Sequence, residues 1–166
     1  ATQAKAAGHS ATAGAAVYSA PLGQYKITAL LDGVAPLGRG FFFGSDEIDL
    51  FLESAGLGPD TVPAPVSAFL LQSDDRTILI DAGLGEQELL GPGFGGVTPS
   101  LAAAGVAASD VDTVILTHAH PDHLGGLISG TAAVFTEAEL VVAEAEAAFW
   151  TDVGMMAQAP AESQGL

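Results

Sequence analysis

Residues 117–126 read Thr117-His118-Ala119-His120-Pro121-Asp122-His123-Leu124-Gly125-Gly126. This segment, called the histidine loop from here on, holds three of the four histidines of the chain and one aspartate between positions 118 and 123. Imidazole and carboxylate groups are the ligands that zinc and similar divalent metals accept. Packing explains the cluster poorly, because buried neutral imidazoles would each need a partner and protonated ones would repel one another. The loop therefore predicts a metal site.

The residues before the loop predict how it is presented. An apolar run, Val114-Ile115-Leu116, indicates a buried strand over 112–117 that ends at the first histidine. His118 and His120 are two positions apart, so in an extended segment leaving that strand they point to the same side. We therefore expect these two histidines to share one ion.

The second part of the loop leaves two questions open. Asp122 and His123 are adjacent, so their side chains diverge, and this permits a second ion without requiring one. Pro121 removes a backbone donor and stiffens the turn. Gly125 and Gly126 either let the backbone pass close to the site or simply allow the turn.

The composition indicates a globular chain. Its 166 residues suit one domain of ordinary size or part of a larger one. Apolar residues make up 49% and the mean hydropathy is +0.42, which is enough for a core and unlike a disordered segment. The apolar runs are far shorter than the roughly 18 residues that a bilayer span needs.

Charge and cysteine content exclude other classes. The net charge is −16, from 20 acidic and 4 basic residues, so phosphate backbones are repelled and nucleic acid is a poor partner. The chain has no cysteine, which excludes disulfides and thiolate zinc sites and leaves the compartment undecided.

Residues 1–16 are mostly Ala, Gly, Ser and Thr, and predict a flexible leader with no role in the fold. They contain no apolar core of about 7–15 residues, which a signal peptide would need. The remaining residues, 17–166, form the predicted structural unit.

Within that unit, strands precede helices. Turn and cap signals predict breaks at Asp32-Gly33, at the loop around Pro63 and Pro65, at 91–96 and at 157–166. Thr98 is the expected cap of a helix with Pro99 at its first position and Gly105 after its end. The predicted strands are 25–31, 66–71, 77–81, 112–117 and 140–142, and the other predicted helices are 45–55 and 144–150. This order favours α/β layering, with sheet beneath helices, over a doubly wound nucleotide fold.

The histidine loop, with Val-Ile-Leu-Thr before it and Leu-Gly-Gly at its end, resembles the signature of the metallo-β-lactamase superfamily. Ile80-Asp81-Ala82-Gly83 resembles the Asp-x-Gly strand end that lies upstream in that superfamily. Residues 25–33, 89–92 and Phe149-Trp150 further resemble the methyl parathion hydrolase-like branch. Members of that branch are exported organophosphorus hydrolases, with relatives that act on lactones and aryl esters.

The resemblance implies a fold and a site. The fold is a four-layer αββα sandwich, of which residues 17–166 would be the N-terminal half. His118 and His120 would bind one metal ion, and Asp122 and His123 a second one, with Asp122 counted as a catalytic residue. Asp81 would orient one of these ligands. The residues expected to line a substrate pocket are Leu90, Phe149 and Trp150.

The implied activity is metal-dependent hydrolysis. Two divalent ions, most simply zinc with manganese, cobalt or iron as alternatives, would share a hydroxide that attacks a small neutral ester, a phosphotriester or a lactone. The resemblance also implies a periplasmic or secreted protein and a homodimer. No membrane partner is expected.

One departure is large. The second half of the family domain supplies a further histidine, a bridging aspartate and a last histidine, whereas this chain has no histidine after His123. We therefore expect a C-terminal half or another chain to complete the site, and the 166 residues alone to be inactive. The segment 157–166 is the predicted place for a cut.

A quorum-quenching-type lactonase or an aryl esterase of the same fold is the alternative within this branch, and three further alternatives remain open. A nuclease branch shares the signature but would want a basic surface. A di-iron branch typically has Glu where His120 stands. A non-catalytic half-domain, which binds metal weakly or serves in assembly, is the third.

Overall fold

The computed structural model describes residues 17–42 and 45–158, without the side chains of 45 and 46. The predicted leader at 1–16 lies outside the described residues. The described strands are β1 Val17–Leu22, β2 Tyr25–Gly38, β3 Thr61–Gln72, β4 Thr77–Ile80, β5 Thr113–Ile115, β6 Ile128–Ser129, β7 Ala132–Ala133 and β8 Glu139–Val141. The described α-helices are α1 Ser45–Ala55, α2 Val97–Ala103, α3 Pro121–Leu124, α4 Glu144–Thr151 and α5 Val153–Gln158.

Six of these strands form one mixed sheet in the order β1-β2-β3-β4-β5-β8. The pairs from β1 to β4 are antiparallel, and β5 pairs in parallel with both β4 and β8. The strands β6 and β7 form a separate small hairpin. Sheet and helices together confirm the predicted α/β class.

The core lies between this sheet and α2. The buried side chains of β2, β3, β4 and β5 meet those of α2, whose Val97 and Leu101 are almost completely covered. Each fully buried leucine here contributes about 1.5–3 kcal/mol to folding. The main buried residues are Leu30, Leu70, Leu79, Leu101, Val111 and Val114. This packing anchors β5, which leads into the histidine loop, and its neighbour β4 in the core.

The predicted turn at Asp32-Gly33 is wrong. The strand β2 continues through both residues, and its pairing with β3 shifts register between Leu31 and Gly33. The turn signal therefore marks a β-bulge, which bends the strand without ending it.

At this bulge, the side chain of Asp32 points inward and is 3% exposed. Its carboxylate accepts backbone hydrogen bonds from Leu84 N at 2.9 Å and from Val97 N at 3.3 Å. Burial raises the pKa of Asp32, and the backbone N–H donors around it oppose that rise. Asp32 thus ties β2 to the segment after β4 and to the start of α2.

The predicted loop at Pro63 and Pro65 is also wrong, because both prolines lie inside β3. They pair with Pro36 and Val34 of β2. Here the paired strands β2 and β3 extend beyond the paired parts of β1 and β4. Proline is tolerated in such a two-stranded arm, since its missing N–H can face an unpaired edge.

The helices follow the predictions with two corrections. The helix α1 has the predicted bounds, and α4 extends one residue beyond them. The predicted cap at Thr98 is wrong, because α2 begins at Val97 after Gly96 and no side chain caps it. Gly96 N instead donates to Asp32 O at 2.9 Å.

The predicted loop at 157–166 is wrong for 157 and 158, which belong to α5, and the rest of it lies outside the described residues.

In the part of the chain that the structure describes, we find no helix with the length and apolar character that a bilayer crossing requires.

Candidate metal centre

The histidine loop leaves the carboxyl end of β5, beside the end of β4. Asp81 N donates to Ile115 O at 2.9 Å, and Leu116 N donates to Val141 O at 2.9 Å. These bonds extend the parallel pairing just past the strands on both sides of β5. Asp81 and the first histidines are therefore brought to one edge of the sheet by neighbouring strands.

Asp81 is the main anchor of the loop. It is 6% exposed, and its Oδ1 accepts a hydrogen bond from Thr117 N at 2.8 Å. Its Oδ2 accepts one from Thr117 Oγ1 at 2.8 Å and one from His123 Nδ1 at 2.9 Å. Asp81 also has φ 60, in the left-handed region, which costs a non-glycine residue of order 1–3 kcal/mol. This cost is sustained because three donors, Thr117 N, Thr117 Oγ1 and His123 Nδ1, fix the position of the carboxylate.

These contacts select tautomers for two histidines. When His123 Nδ1 donates to Asp81, the lone pair of His123 is on Nε2, which suits a metal ligand. The Thr117 hydroxyl gives its proton to Asp81, so it can accept one from His118 Nδ1, 3.1 Å away. Sequence reasoning missed the role of Thr117, for which adjacency to His118 was the only signal.

The structure brings the predicted ligands together. The ring centroids of His118 and His120 are 4.7 Å apart, and those of His118 and His123 are 3.9 Å apart. Asp122 lies in the first turn of α3, with its Oδ2 3.5 Å from His123 Nε2. The three imidazoles therefore lie close together, and Asp122 lies beside His123.

The donor set fits a divalent cation in its chemistry: three imidazoles, two of them with Nδ1 already engaged, and one carboxylate. It does not form a closed cage. Among residues 17–42 and 47–158, no group of three or more His, Asp or Glu side chains is arranged so that it could hold a metal ion. The described residues thus offer ligands that a bound ion would have to draw together.

The two glycines at the end of the loop answer one question that their sequence left open. A Cβ on Gly125 would meet Leu84 O, and a Cβ on Gly126 would meet Ala82 O. Gly126 N also donates to Gly83 O at 3.0 Å. Both glycines therefore permit a close backbone approach, here to the segment that follows β4, on which the loop packs directly.

Helix α4 reaches the other side of the histidine loop. Glu146 Oε2 accepts hydrogen bonds from Ala119 N at 3.0 Å and from Trp150 Nε1 at 3.1 Å. The Ala119 bond is the main cause that lowers the pKa of Glu146, and Trp150, His118 and His120 act in the same direction. Sequence reasoning missed Glu146. The i, i+4 spacing of Glu146 and Trp150 on a helix was the available signal.

The predicted pocket residues fall into two groups. The ring of Trp150 meets that of His120 edge to face at 5.7 Å, and Phe149 packs on Trp150 at 5.4 Å with half its surface exposed. Leu90 instead lines a cavity of about 230 Å³ that also includes Asp122. The other walls of this cavity are Ala35, Leu37, Ala64, Pro65, Val66, Leu84 and Leu89.

Comparison with known proteins agrees with the fold. The sequence profile of the Metallo-beta-lactamase superfamily matches residues 61–161, from β3 to beyond α5. A probable metallo-hydrolase of Mycobacterium bovis is 38% identical over 93 residues, which cover 47% of this chain and 28% of that protein.

Two solved structures are similar over most of the chain. The crystal structure of the hydrolase AbOPH, in the beta lactamase superfamily, matches with a TM-score of 0.80 and 33% identity, over 91% of this chain and 52% of that one. AidC, a dizinc quorum-quenching lactonase, matches with a TM-score of 0.72 and 25% identity, over 82% of this chain and 47% of that one. The chain therefore spans about half the length of these proteins, and less of the mycobacterial one.

Proposed function

The chain belongs to the metallo-β-lactamase superfamily, and from this premise we propose that the protein is a metal-dependent hydrolase of small neutral esters, lactones or phosphotriesters. The observation that carries the proposal is the convergence of His118, His120 and His123 at the strand ends, with His123 held by Asp81. Clustered histidines with a carboxylate behind one of them are the arrangement that metal sites use.

In this proposal His118 and His120 hold one divalent ion, and Asp122 and His123 hold a second one. Zinc is the first choice, and manganese, cobalt and iron accept the same ligands. When bound, such ions activate water and polarise the bond to be cleaved. Asp122 is the predicted catalytic residue of this set, and it lines the same cavity as Leu90.

The residues of the chain itself orient the ligands. Asp81 keeps the Nδ1 proton on His123 and so leaves Nε2 available. Thr117 links Asp81 to His118 through its hydroxyl. Both contacts restrict the histidine rings, which lowers the ordering cost of assembling the site.

Charge and cavity chemistry support a neutral substrate. Most side chains that line the cavity next to Asp122 are aliphatic, among them Leu37 and Leu90. The net charge of −16 disfavours the approach of anions and of nucleic acid. AidC, similar in fold, is a lactonase, and this likeness supports placing lactones beside esters and phosphotriesters as candidate substrates.

Further parts of the proposal concern the whole protein. The remaining metal ligands come from sequence beyond this chain or from another chain, since the described residues form no closed cage. Export to the periplasm or medium and assembly into a homodimer rest on the resemblance to the methyl parathion hydrolase-like branch. Cell fractionation and sedimentation analysis test these two points.

The test is turnover by the full-length protein on three neutral substrates: an aryl ester, an acyl lactone and an aryl phosphotriester. We expect one of them to be hydrolysed, the activity to vanish with a chelator, and Zn²⁺ to restore it. His120→Ala should lower turnover by at least about 100-fold. His9→Ala, which changes the one histidine outside the loop, is the matched control.

Two outcomes contradict the proposal. Turnover that survives both the chelator and His120→Ala would show that hydrolysis does not use the loop. Metal binding with no turnover on any of the three substrates would favour a non-catalytic domain.

A further inference from the structure

Glu146 contacts the histidine loop from a second element, helix α4. Its Oε2 accepts from Ala119 N, 27 positions earlier in the chain, and from Trp150 Nε1, one helical turn later. One carboxylate oxygen thus joins the backbone of the loop to the only tryptophan of the chain.

The bond to Ala119 lies at the centre of the loop. Ala119 separates the two proposed ligands of the first ion, His118 and His120, so the orientation of its peptide group sets the direction of both side chains. On one side of it, Thr117 N is held by Asp81. On the other side, His120 O accepts from His123 N. Glu146 fixes the segment between these two anchors.

The bond to Trp150 affects His120 through its side chain. The indole of Trp150 meets the imidazole of His120 edge to face, with centroids 5.7 Å apart. Because Glu146 holds the indole N–H, it limits the rotation of the ring that covers His120. The carboxylate therefore controls both the backbone and the neighbouring ring of one proposed ligand.

We propose that Glu146 is a positioning residue that sets the orientation of His118 and His120 for the metal ion, an inference that rests on the proposed function. In this proposal Glu146 is not itself a ligand and acts through Ala119 and Trp150, whose N–H groups donate to its Oε2.

A simpler account is that Glu146 only stabilises the start of α4. Acidic residues in the first turn favour the helix dipole, and both Glu144 and Glu146 lie there. Glu144 is exposed to solvent and distinguishes the two accounts. A dipole effect would make the two glutamates equivalent, whereas a positioning effect belongs to Glu146 alone.

The experiment compares Glu146→Ala, Glu146→Gln and the matched control Glu144→Ala in the full-length protein. Zn²⁺ affinity is measured by competition with a chromophoric chelator, and the ligand geometry by the visible absorption of Co²⁺. We expect Glu146→Ala to weaken Zn²⁺ binding about 10- to 100-fold, as loss of a residue that orients ligands does. The Zn²⁺ affinity of Glu146→Gln should lie between those of Glu146→Ala and the unaltered protein, because its amide oxygen can still accept a hydrogen bond. The affinity of Glu144→Ala should match that of the unaltered protein.

Trp150 provides a second signal that does not depend on metal or activity. The emission of Trp150, obtained by subtracting the spectrum of Trp150→Phe, should shift to longer wavelength in Glu146→Ala, as the indole loses its partner. No shift is expected in Glu144→Ala.

Unchanged Zn²⁺ affinity and an unchanged Co²⁺ spectrum in Glu146→Ala, with or without a lower melting temperature, would overturn the positioning role and leave the proposed function intact. If Glu146→Ala does not fold, unchanged affinity in Glu146→Gln together with an unshifted Trp150 emission overturns it. An unaltered protein that binds neither Zn²⁺ nor Co²⁺ would overturn the inference and the proposed function together.

Discussion

His123 Nδ1 donates a hydrogen bond of 2.9 Å to Asp81 Oδ2, across 42 positions of sequence. Asp81 stands at the end of β4 and His123 in helix α3, so this bond connects the sheet to the element that carries two proposed ligands. The backbone reinforces the link, because Ala82 N donates to His123 O at 2.7 Å. The orientation of His123 is therefore determined from two directions.

The Asp81 contact predicts a change in metal affinity. Asp81→Ala releases His123 Nδ1 and leaves Thr117 N without its acceptor, so we expect Zn²⁺ binding by the full-length protein to weaken about 10- to 100-fold. Isothermal titration calorimetry with Zn²⁺ measures this affinity. Asp74→Ala, an exposed aspartate on the turn before β4, is the control. Equal affinity in both variants would show that Asp81 does not orient a ligand.

The packing of the loop on the segment after β4 predicts a loss of stability. In Gly126→Ala the new methyl group would overlap Ala82 O, and the backbone would have to separate. We expect the free energy of unfolding to fall by about 2 kcal/mol or more, as in other overpacked sites. Chemical denaturation measures it. Gly58→Ala, where a methyl group meets open space, should change it by less than about 0.5 kcal/mol.

The buried carboxylate of Asp32 at the β2 bulge predicts a second loss of stability. Asp32→Ala would leave the N–H groups of Leu84 and Val97 without an acceptor in a buried place. Each such group costs about 1–3 kcal/mol, so we expect a decrease of roughly 3 kcal/mol in the free energy of unfolding. The control is Asp60→Ala at an exposed position. A decrease no larger than that of the control would mean that solvent replaces the carboxylate.

The hairpin β6–β7 predicts a pH dependence of stability. Hydrogen bonds from Ser129 Oγ at 2.7 Å and Gly130 N at 3.2 Å hold the pKa of Glu86 below its ordinary value. A lowered pKa in the folded state gives stabilisation above the unfolded pKa of about 4.3, which is lost as pH falls through the folded pKa.

Glu86→Gln should therefore be less stable than the unaltered protein at neutral pH, and the difference should shrink on acidification. Denaturation curves between neutral and acidic pH measure the trend, with Glu88→Gln as the exposed control. A difference that grows as pH falls would contradict the assignment.

Some of this architecture could be predicted because its signals are local. The histidine loop, the strand before it and the helices α1 and α4 follow from short patterns: clustered ligands, an apolar run, and glycines after helix ends. The same local reading failed at Asp32-Gly33 and at Pro63 and Pro65. The turn residues there lie in a bulge and in a two-stranded arm that β1 and β4 do not flank. Both features depend on the length of the neighbouring strands.

The contacts that orient the loop could not be derived from spacing. Thr117 and Glu146 are ordinary residues whose roles depend on partners from other elements: Asp81 for one, Ala119 for the other. The resemblance indicates Asp81, but its contacts with Thr117 and His123 appear only when β4 lies beside β5. Sequence patterns indicate the proposed ligands, whereas the residues that orient them can be identified only from the fold.

The central claim is that the histidine loop binds divalent metal, and its most direct test is the metal content of the full-length protein, purified at neutral pH without chelator. Elemental analysis should find about two divalent ions per chain, the stoichiometry of two-metal hydrolases, with a clear loss in His118→Ala and His123→Ala. Protein that carries no divalent ion and takes up none from added Zn²⁺ would contradict the account.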